Sequence, residues 1–194
     1  MSARETSAGV AKVGARDRVL RAALAAFEEK SPDRVRVQDI ASRAGMSSGH
    51  VLYYFRDRDR ILISTLLLSE ESLAERRDRA VRRAPDADVA LDQLTRLYLP
   101  TGPRDVRWAL WAQVFARPPE DRTMRDRLQE LADAWTLCIA TLLQPTSPQA
   151  SLAVASLYCH LMDGLAMEVL LGASGHGRSW AVREAAAGLT ALAR

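Results

Sequence analysis

The sequence predicts an all-α protein, in which an N-terminal helix-turn-helix domain of three helices precedes a C-terminal helical domain, with about nine helices in total. Three observations support this prediction. Apolar residues recur at helical spacing along most of the chain, proline and glycine clusters divide that pattern into segments, and no convincing strand pattern interrupts it. Successive helices with short breaks are typical of all-α folds.

The first helix is predicted to begin near Arg16, after a small and polar segment, residues 1–15, that we expect to be a disordered tail. It ends near Lys30, because the Ser-Pro-Asp sequence that follows is a turn signal. Its apolar positions follow the i, i+3, i+4, i+7, i+8 spacing of one helix face and are Val19, Ala22, Ala23, Ala26 and Phe27.

Two short helices are predicted next, at about 37–44 and 48–55. Gly45 ends the first of them, since glycine accepts the left-handed conformation that commonly follows a helix. Ser47 is a suitable N-cap for the second, and Asp57 for a long fourth helix that reaches about residue 83.

The remaining helices are separated by proline-rich or glycine-rich breaks. We expect them at about residues 86–99, 105–116, 121–143, 149–171 and 179–192.

Charge is unevenly distributed along the chain. The net charge is +3, but residues 1–83 carry 17 basic and 12 acidic side chains, whereas the remainder is mildly acidic. A basic N-terminal half indicates contact with a polyanion. The two cysteines, Cys138 and Cys159, lack the spacing of a metal site or redox pair and are interpreted as reduced core residues. With no signal-peptide core and no apolar run expected to span a membrane, the chain is predicted to be cytoplasmic.

The helix 48–55 is too short to be stable alone, so packing of Val51 and Phe55 must hold it while its other face stays exposed. That face carries hydroxyl, imidazole and phenol groups that contribute little to a core. A helix of this size fits the major groove of DNA, where its N-terminal residues reach base edges.

The segments RVLRAALAAFEE, DIASRAG, SSGHVLYYF and DRDRIL, in this order and spacing, resemble the TetR family of transcriptional regulators over residues 16–62. The resemblance implies that the third helix lies in the major groove. It implies contacts to bases or the adjacent backbone from Ser47, Ser48, Gly49 and His50, and to phosphates from Tyr53, Tyr54 and Arg58. Arg36 stands where the family usually has Thr or Ser, so it can contact a phosphate but cannot cap the second helix in the same way. His50 stands where the family often has Thr and is a candidate specificity residue.

We therefore divide the chain into a DNA-binding domain, 16–60, and a ligand-binding and dimerisation domain, 61–194. The last two helices have apolar or small residues on more than one face, more than a single core needs. Together with the resemblance, this predicts a homodimer in which two helices from each subunit form a four-helix bundle. The alternative is that they are simply central core helices.

Aromatic and polar residues in the middle helices are candidates for an effector pocket. They are Tyr98, Trp108, Trp111, Phe115, Trp135, His160, Asp163 and Met167. The pattern resembles a TetR branch that includes choline-responsive repressors. Two hypotheses follow: the tryptophans and Asp163 form a cage for a cation such as a quaternary ammonium or polyamine, or the pocket is apolar and binds a lipid-like or drug-like effector.

The predicted function is a ligand-responsive repressor that a small-molecule effector releases from a palindromic DNA operator. The alternatives are a helical dimeric interaction protein and an enzyme that does not bind DNA. None of the three histidines stands in a motif with a nucleophile, a metal-ligand partner or a phosphate loop, so no catalysis, metal or cofactor is expected.

Overall fold

A computed structural model describes the backbone of residues 3–143, 148–172 and 175–192, and the side chains of 14–143, 151–172 and 175–192. Within this part of the chain the fold is entirely helical, which confirms the predicted fold class. The helices are α1 (Ala3–Glu29), α2 (Val37–Ala44), α3 (Ser48–Phe55), α4 (Arg58–Arg83), α5 (Ala87–Tyr98), α6 (Val106–Ala116), α7 (Arg122–Leu142), α8 (Pro148–Leu171) and α9 (Arg178–Leu192), with a 3-10 helix at Pro32–Arg34 between α1 and α2.

Helix α1 is longer than predicted. It begins at Ala3 rather than near Arg16, so the structure has helix where a disordered tail was expected. The segment contains several alanines and no proline, and alanine has the highest intrinsic helix propensity. Among the residues whose side chains are described, Ala15 and Val19 are buried.

The three predicted capping residues have the expected geometry. Gly45 follows α2 with φ 64° and ψ 38°, the left-handed conformation. The Ser47 hydroxyl accepts a hydrogen bond of 3.2 Å from the backbone N–H of His50, and the Asp57 carboxylate accepts one of 2.7 Å from that of Arg60. These bonds satisfy N–H groups that a helix start leaves without an intrahelical partner.

A three-residue turn at Arg56 joins α3 to α4. Arg56 has φ 68° and ψ −52°, and the Asp57 N–H donates to the Phe55 carbonyl at 2.9 Å. This is the conformation of a γ-turn that non-glycine residues rarely adopt. It lets two helices meet with almost no connecting loop.

An N-terminal core packs α1, α2, α3 and the first turns of α4 around residues such as Ile40, Val51 and Phe55. Leu110 and Val114 of α6 also belong to it. The N-terminal core therefore continues past residue 60, where the sequence predicted the domain boundary. Helix α6 contributes side chains to this core.

A C-terminal core is centred on α8, which packs chiefly against α7 and α9. By length and composition alone the segment Ser151–Leu171 could cross a membrane, which the sequence analysis did not expect. Packing against α7 and α9 accounts for only part of its apolar character, because Leu152 and Leu157 remain exposed. Gly188 of α9 lies so close to Leu161 of α8 that a β-carbon would stand 2.2 Å from Leu161 Cδ2.

Candidate functional site

Helix α3 is held by its buried face and presents the opposite face to solvent. Val51 and Phe55 are buried, whereas Gly49 and His50 are exposed and the Tyr53 side chain is 69% exposed. The arrangement agrees with the amphipathic prediction for this helix. Ser48 and Tyr54, also predicted to contact DNA, are half-buried.

Three rings form a continuous ridge along this exposed face. The His50 and Tyr54 ring centroids are 5.2 Å apart, and the Tyr53 ring meets the Tyr54 ring edge-on at 5.4 Å. The ridge places an imidazole and two phenol hydroxyls on one helix that is narrow enough for the major groove. Hydroxyl and imidazole groups donate and accept hydrogen bonds, which suits contacts to base edges and phosphates.

Two arginines near α3 differ in their solvent exposure and in the hydrogen bonds that they make within the protein. Arg36 is exposed, and its backbone N–H donates to the Asp39 carboxylate at 2.9 Å, which is the bond that the third residue of a helix makes in a capping box. Arg58 is half-buried and donates to the carbonyls of Val35, at 2.9 Å, and Pro32. These bonds do not favour the phosphate contact predicted for Arg58.

An aromatic cavity of about 360 Å³ lies among α4, α5, α6, α7 and α8, a volume within the range of small-molecule pockets. Six of the eight predicted pocket residues line it: Tyr98, Trp108, Trp111, Phe115, Trp135 and Asp163. His160 and Met167 do not. His160 is exposed to solvent and Met167 packs against the C-terminal core. The two residues share one side of α8 with Asp163 but lie about 60° and 40° around the helix axis from it.

The aromatic rings meet in two groups. The Tyr98 ring meets Trp135 edge-on at 5.0 Å and is tilted against Trp108 at 5.7 Å. Trp111 stacks on Phe115 at 5.6 Å. Phe115 is 53% exposed, so the second group reaches the surface, and ring faces of this kind attract cations.

Asp163 carries negative charge into this aromatic lining. Its Oδ1 accepts a hydrogen bond of 2.7 Å from the Tyr98 hydroxyl. Burial raises the pKa of the Asp163 carboxyl, and burial together with the nearby carboxylate raises the pKa of the Tyr98 hydroxyl, which therefore stays a donor. Among the residues described, none forms an ion pair with Asp163.

Three charged residues of the cavity lining, Glu70, Arg107 and Arg125, were missed by the sequence analysis. Glu70 of α4 is 3% exposed, and its Oε1 accepts hydrogen bonds from Trp111 Nε1 at 2.7 Å and Arg107 Nη1 at 3.1 Å. Glu70 stands in a polar stretch typical of a solvated helix face, so no local signal indicates its burial. Its partners are 37 and 41 residues away in sequence.

Side chains suited to metal binding or nucleophilic chemistry are not assembled in the described part of the chain. Those residues include no group of three or more His, Cys, Asp or Glu that could hold a metal ion. Cys138 and Cys159 are free thiols, as predicted. Burial raises the pKa of Cys159 to about 11, and a protonated thiol is a poor nucleophile.

The sequence and the structure of this chain are each similar to those of known bacterial regulatory proteins. Residues 19–65 match the family model described as bacterial regulatory proteins, tetR family. No curated protein sequence matches the chain. A transcriptional regulator from Saccharomonospora viridis, solved in complex with choline, is 25% identical with a TM-score of 0.78, over 92% of this chain and 96% of that one.

Two further solved structures share the fold at lower identity. A TetR-family regulator from Rhodococcus sp. is 21% identical with a TM-score of 0.69, over 93% of this chain and 98% of that one. The regulator FadR from Bacillus subtilis, in complex with stearoyl-CoA, is 16% identical with a TM-score of 0.66, over 91% and 96%. The helix-turn-helix segment is therefore similar to the bacterial regulatory proteins of the tetR family, and the fold over more than nine-tenths of the chain is shared with solved transcriptional regulators.

Proposed function

We propose that the protein is a cytoplasmic, homodimeric repressor that binds a palindromic operator through α3 and is released by a cationic effector bound in the aromatic cavity. The observation that carries the effector class is Asp163, a carboxylate without a cation partner among the described residues, set beside the faces of several aromatic rings. A carboxylate together with aromatic faces suits a quaternary ammonium or polyamine.

The DNA-binding part of the proposal rests on the exposed ridge of His50, Tyr53 and Tyr54. One such helix makes too small a contact for tight specific binding, so two copies related by a two-fold axis would read half-sites about 34–36 Å apart. We place the dimer contact on α8 and α9. Two large apolar side chains of α8, Leu152 and Leu157, are exposed in the single chain.

The effector class is also supported by the Saccharomonospora viridis regulator, which is similar to this chain over most of its length and was solved with choline. The rival hypothesis is an apolar effector. It is favoured by the mainly apolar lining, which includes Val114, Leu128 and Leu131.

A selection experiment tests DNA binding. Duplexes selected from a random pool by the wild-type protein should share a near-palindromic sequence, and log affinity should fall linearly with log salt concentration, because phosphate contacts release counterions. Recovery of no duplex above background at low salt would exclude the repressor function.

Calorimetry tests the effector class. Choline, spermidine and 3,3-dimethyl-1-butanol, the neutral carbon isostere of choline, should be titrated into the protein. Binding of choline or spermidine together with much weaker binding of the neutral alcohol supports the cation cage. Binding of the alcohol as tight as that of choline, or of fatty acids alone, would favour the apolar pocket.

A further inference from the structure

The Glu70 carboxylate joins the DNA-reading end of the molecule to the wall of the aromatic cavity. Glu70 lies on α4, the helix whose first turns pack in the N-terminal core. At 3% exposure it is among the few charged side chains buried in the described structure. Burying a carboxylate is unfavourable unless it is paired and hydrogen-bonded, and both of its donors come from α6.

Arg107 connects the same carboxylate to a third helix. Its Nη1 donates to Glu70 at 3.1 Å, while its Nη2 donates to the backbone carbonyl of Tyr98 at the end of α5. Its guanidinium also lies 5.1 Å from the Trp108 ring centroid. A single guanidinium therefore ties α4, α5 and α6 together, which suits its rigid fork of donors.

Trp111 is the second hydrogen-bond donor to Glu70, and it also lines the cavity. Its ring packs against both hydrophobic cores and stacks on the partly exposed Phe115. Its indole N–H donates to Glu70 at 2.7 Å. Because the ring lines the cavity, a cation bound against its face can shift it and thereby change the hydrogen bond to α4.

The two carboxylates of the cavity, Glu70 and Asp163, differ in whether a cationic side chain is paired with them. Glu70 is balanced by Arg107 at 3.1 Å, so it has little net charge to offer a ligand. Asp163 accepts a hydrogen bond from a neutral hydroxyl and forms no ion pair among the described residues, although the nearby His160 and Arg107 partly offset the effect of burial on its pKa.

We propose that Glu70 is a positioning residue that couples occupation of the cavity to α4, and that Asp163 is the carboxylate that pairs with the ligand's cation. This inference rests on the proposed function. Glu70 does not touch the ligand. It transmits the position of Trp111 and Arg107 to the helix that carries the DNA-reading domain.

Three variants test the assignment. Glu70→Gln keeps an acceptor for Trp111 but removes the charge pair with Arg107, and Trp111→Phe keeps a ring but removes the indole donor. Glu75→Gln is the matched control, since it makes the same charge change on α4 at an exposed position. For each folded protein we measure the affinity for choline without DNA, and for a duplex selected by the wild-type protein, with and without choline.

We expect Glu70→Gln and Trp111→Phe to bind choline within about threefold and about tenfold of wild type, respectively. In both, the ratio of DNA affinities without and with choline should fall at least about fivefold, which equals the lower end of typical coupling. In the absence of ligand, Glu70→Gln should change DNA affinity by at least about threefold, whereas Glu75→Gln should behave as wild type in every measurement.

Two results would overturn the assignment. Loss of choline binding in folded Glu70→Gln would show that Glu70 contacts the ligand, and a wild-type DNA affinity and choline effect in that variant would show that it does not couple. If neither choline nor spermidine binds the wild-type protein, the proposed effector class fails. The ligand-free DNA affinities of Glu70→Gln and Glu75→Gln still decide whether Glu70 controls α4.

Discussion

The Tyr98 hydroxyl lies 2.7 Å from Oδ1 of Asp163 and joins the end of α5 to the middle of α8 beside the aromatic cavity. The bond stabilises the ionised carboxylate, whereas burial, the larger effect, favours its protonated form and raises the Asp163 pKa. The ionised Asp163 carboxylate is therefore less stable in this site than it would be in water, as expected of a residue that serves binding rather than stability.

Asp163→Asn should make the protein more stable and a weaker cation binder. Because the folded-state pKa of Asp163 is raised, the ionised carboxylate lowers stability at neutral pH. That cost fades as the pH falls through the folded pKa and is absent below the ordinary value of 3.8. Urea unfolding of both proteins should show the stability gain at pH 7 and its shrinkage in acid, and calorimetry should show at least about tenfold weaker choline binding. Unchanged choline affinity would contradict the role of Asp163.

Cation binding by the wild-type protein should weaken in mild acid. The ligand pairs with the ionised form of Asp163, whose pKa is raised by burial, so affinity should fall as the pH decreases through that pKa. Calorimetric titration of choline across the acid range measures this. The Asp163→Asn variant is the control, since its weaker affinity should not follow the same profile.

Tyr53→Ala and His50→Ala should weaken DNA binding in different ways. Tyr53 is 69% exposed on the ridge and is predicted to contact phosphate, so its loss should weaken binding to all duplexes alike. His50 near the start of α3 should instead alter the preferred sequence. Parallel selections from a random pool distinguish the two effects, and His176→Ala, far along the chain on the α8–α9 connection, should leave both unchanged.

Gly45→Ala should destabilise the protein and Gly49→Ala should not. Gly45 has φ 64°, and neither glycine would bring a β-carbon within 4 Å of a neighbouring atom. The cost at Gly45 is therefore one of backbone conformation, about 1–2 kcal/mol. At Gly49, inside α3, alanine should be neutral or stabilise by up to about 1 kcal/mol. Denaturant unfolding of both variants gives the comparison.

Leu157→Lys should dissociate the proposed dimer, whereas Leu137→Lys should not. The two leucines are almost equally exposed in the single chain, at 54% and 55%, but Leu157 lies on α8 and Leu137 on α7. Charge in an apolar dimer interface is unfavourable. Light scattering after size-exclusion chromatography measures the mass of each variant, and a dimeric Leu157→Lys would move the interface elsewhere.

Local signals in the sequence were sufficient where one residue decides a backbone conformation. The caps at Ser47 and Asp57 and the turn at Gly45 were predicted because their physical causes lie within three or four residues. The five aromatic residues of the cavity lining were also predicted, because large rings at helical spacing tend to pack together.

Long-range pairing was not predictable in this way. Glu70 is buried only because α6 brings Arg107 and Trp111 to it, and nothing in its own neighbourhood indicates those partners. His160 was predicted to line the pocket because it is a polar residue in an apolar helical stripe, three residues before Asp163. A step of three residues leaves a rotation of about 60° around a helix, and that is enough to move His160 from the cavity to solvent.

Continuity of α4 has a mechanical consequence. The helix has 26 residues, so it is a rod of about 39 Å, and Glu70 lies about 18 Å from its first residue. If that residue acts as a fulcrum, a tilt of about 5° swings the start of the rod by roughly 1.6 Å. In the proposed two-fold pair the displacement is made twice, so a tilt of that size in each chain changes the separation of the two recognition helices by up to about 3 Å.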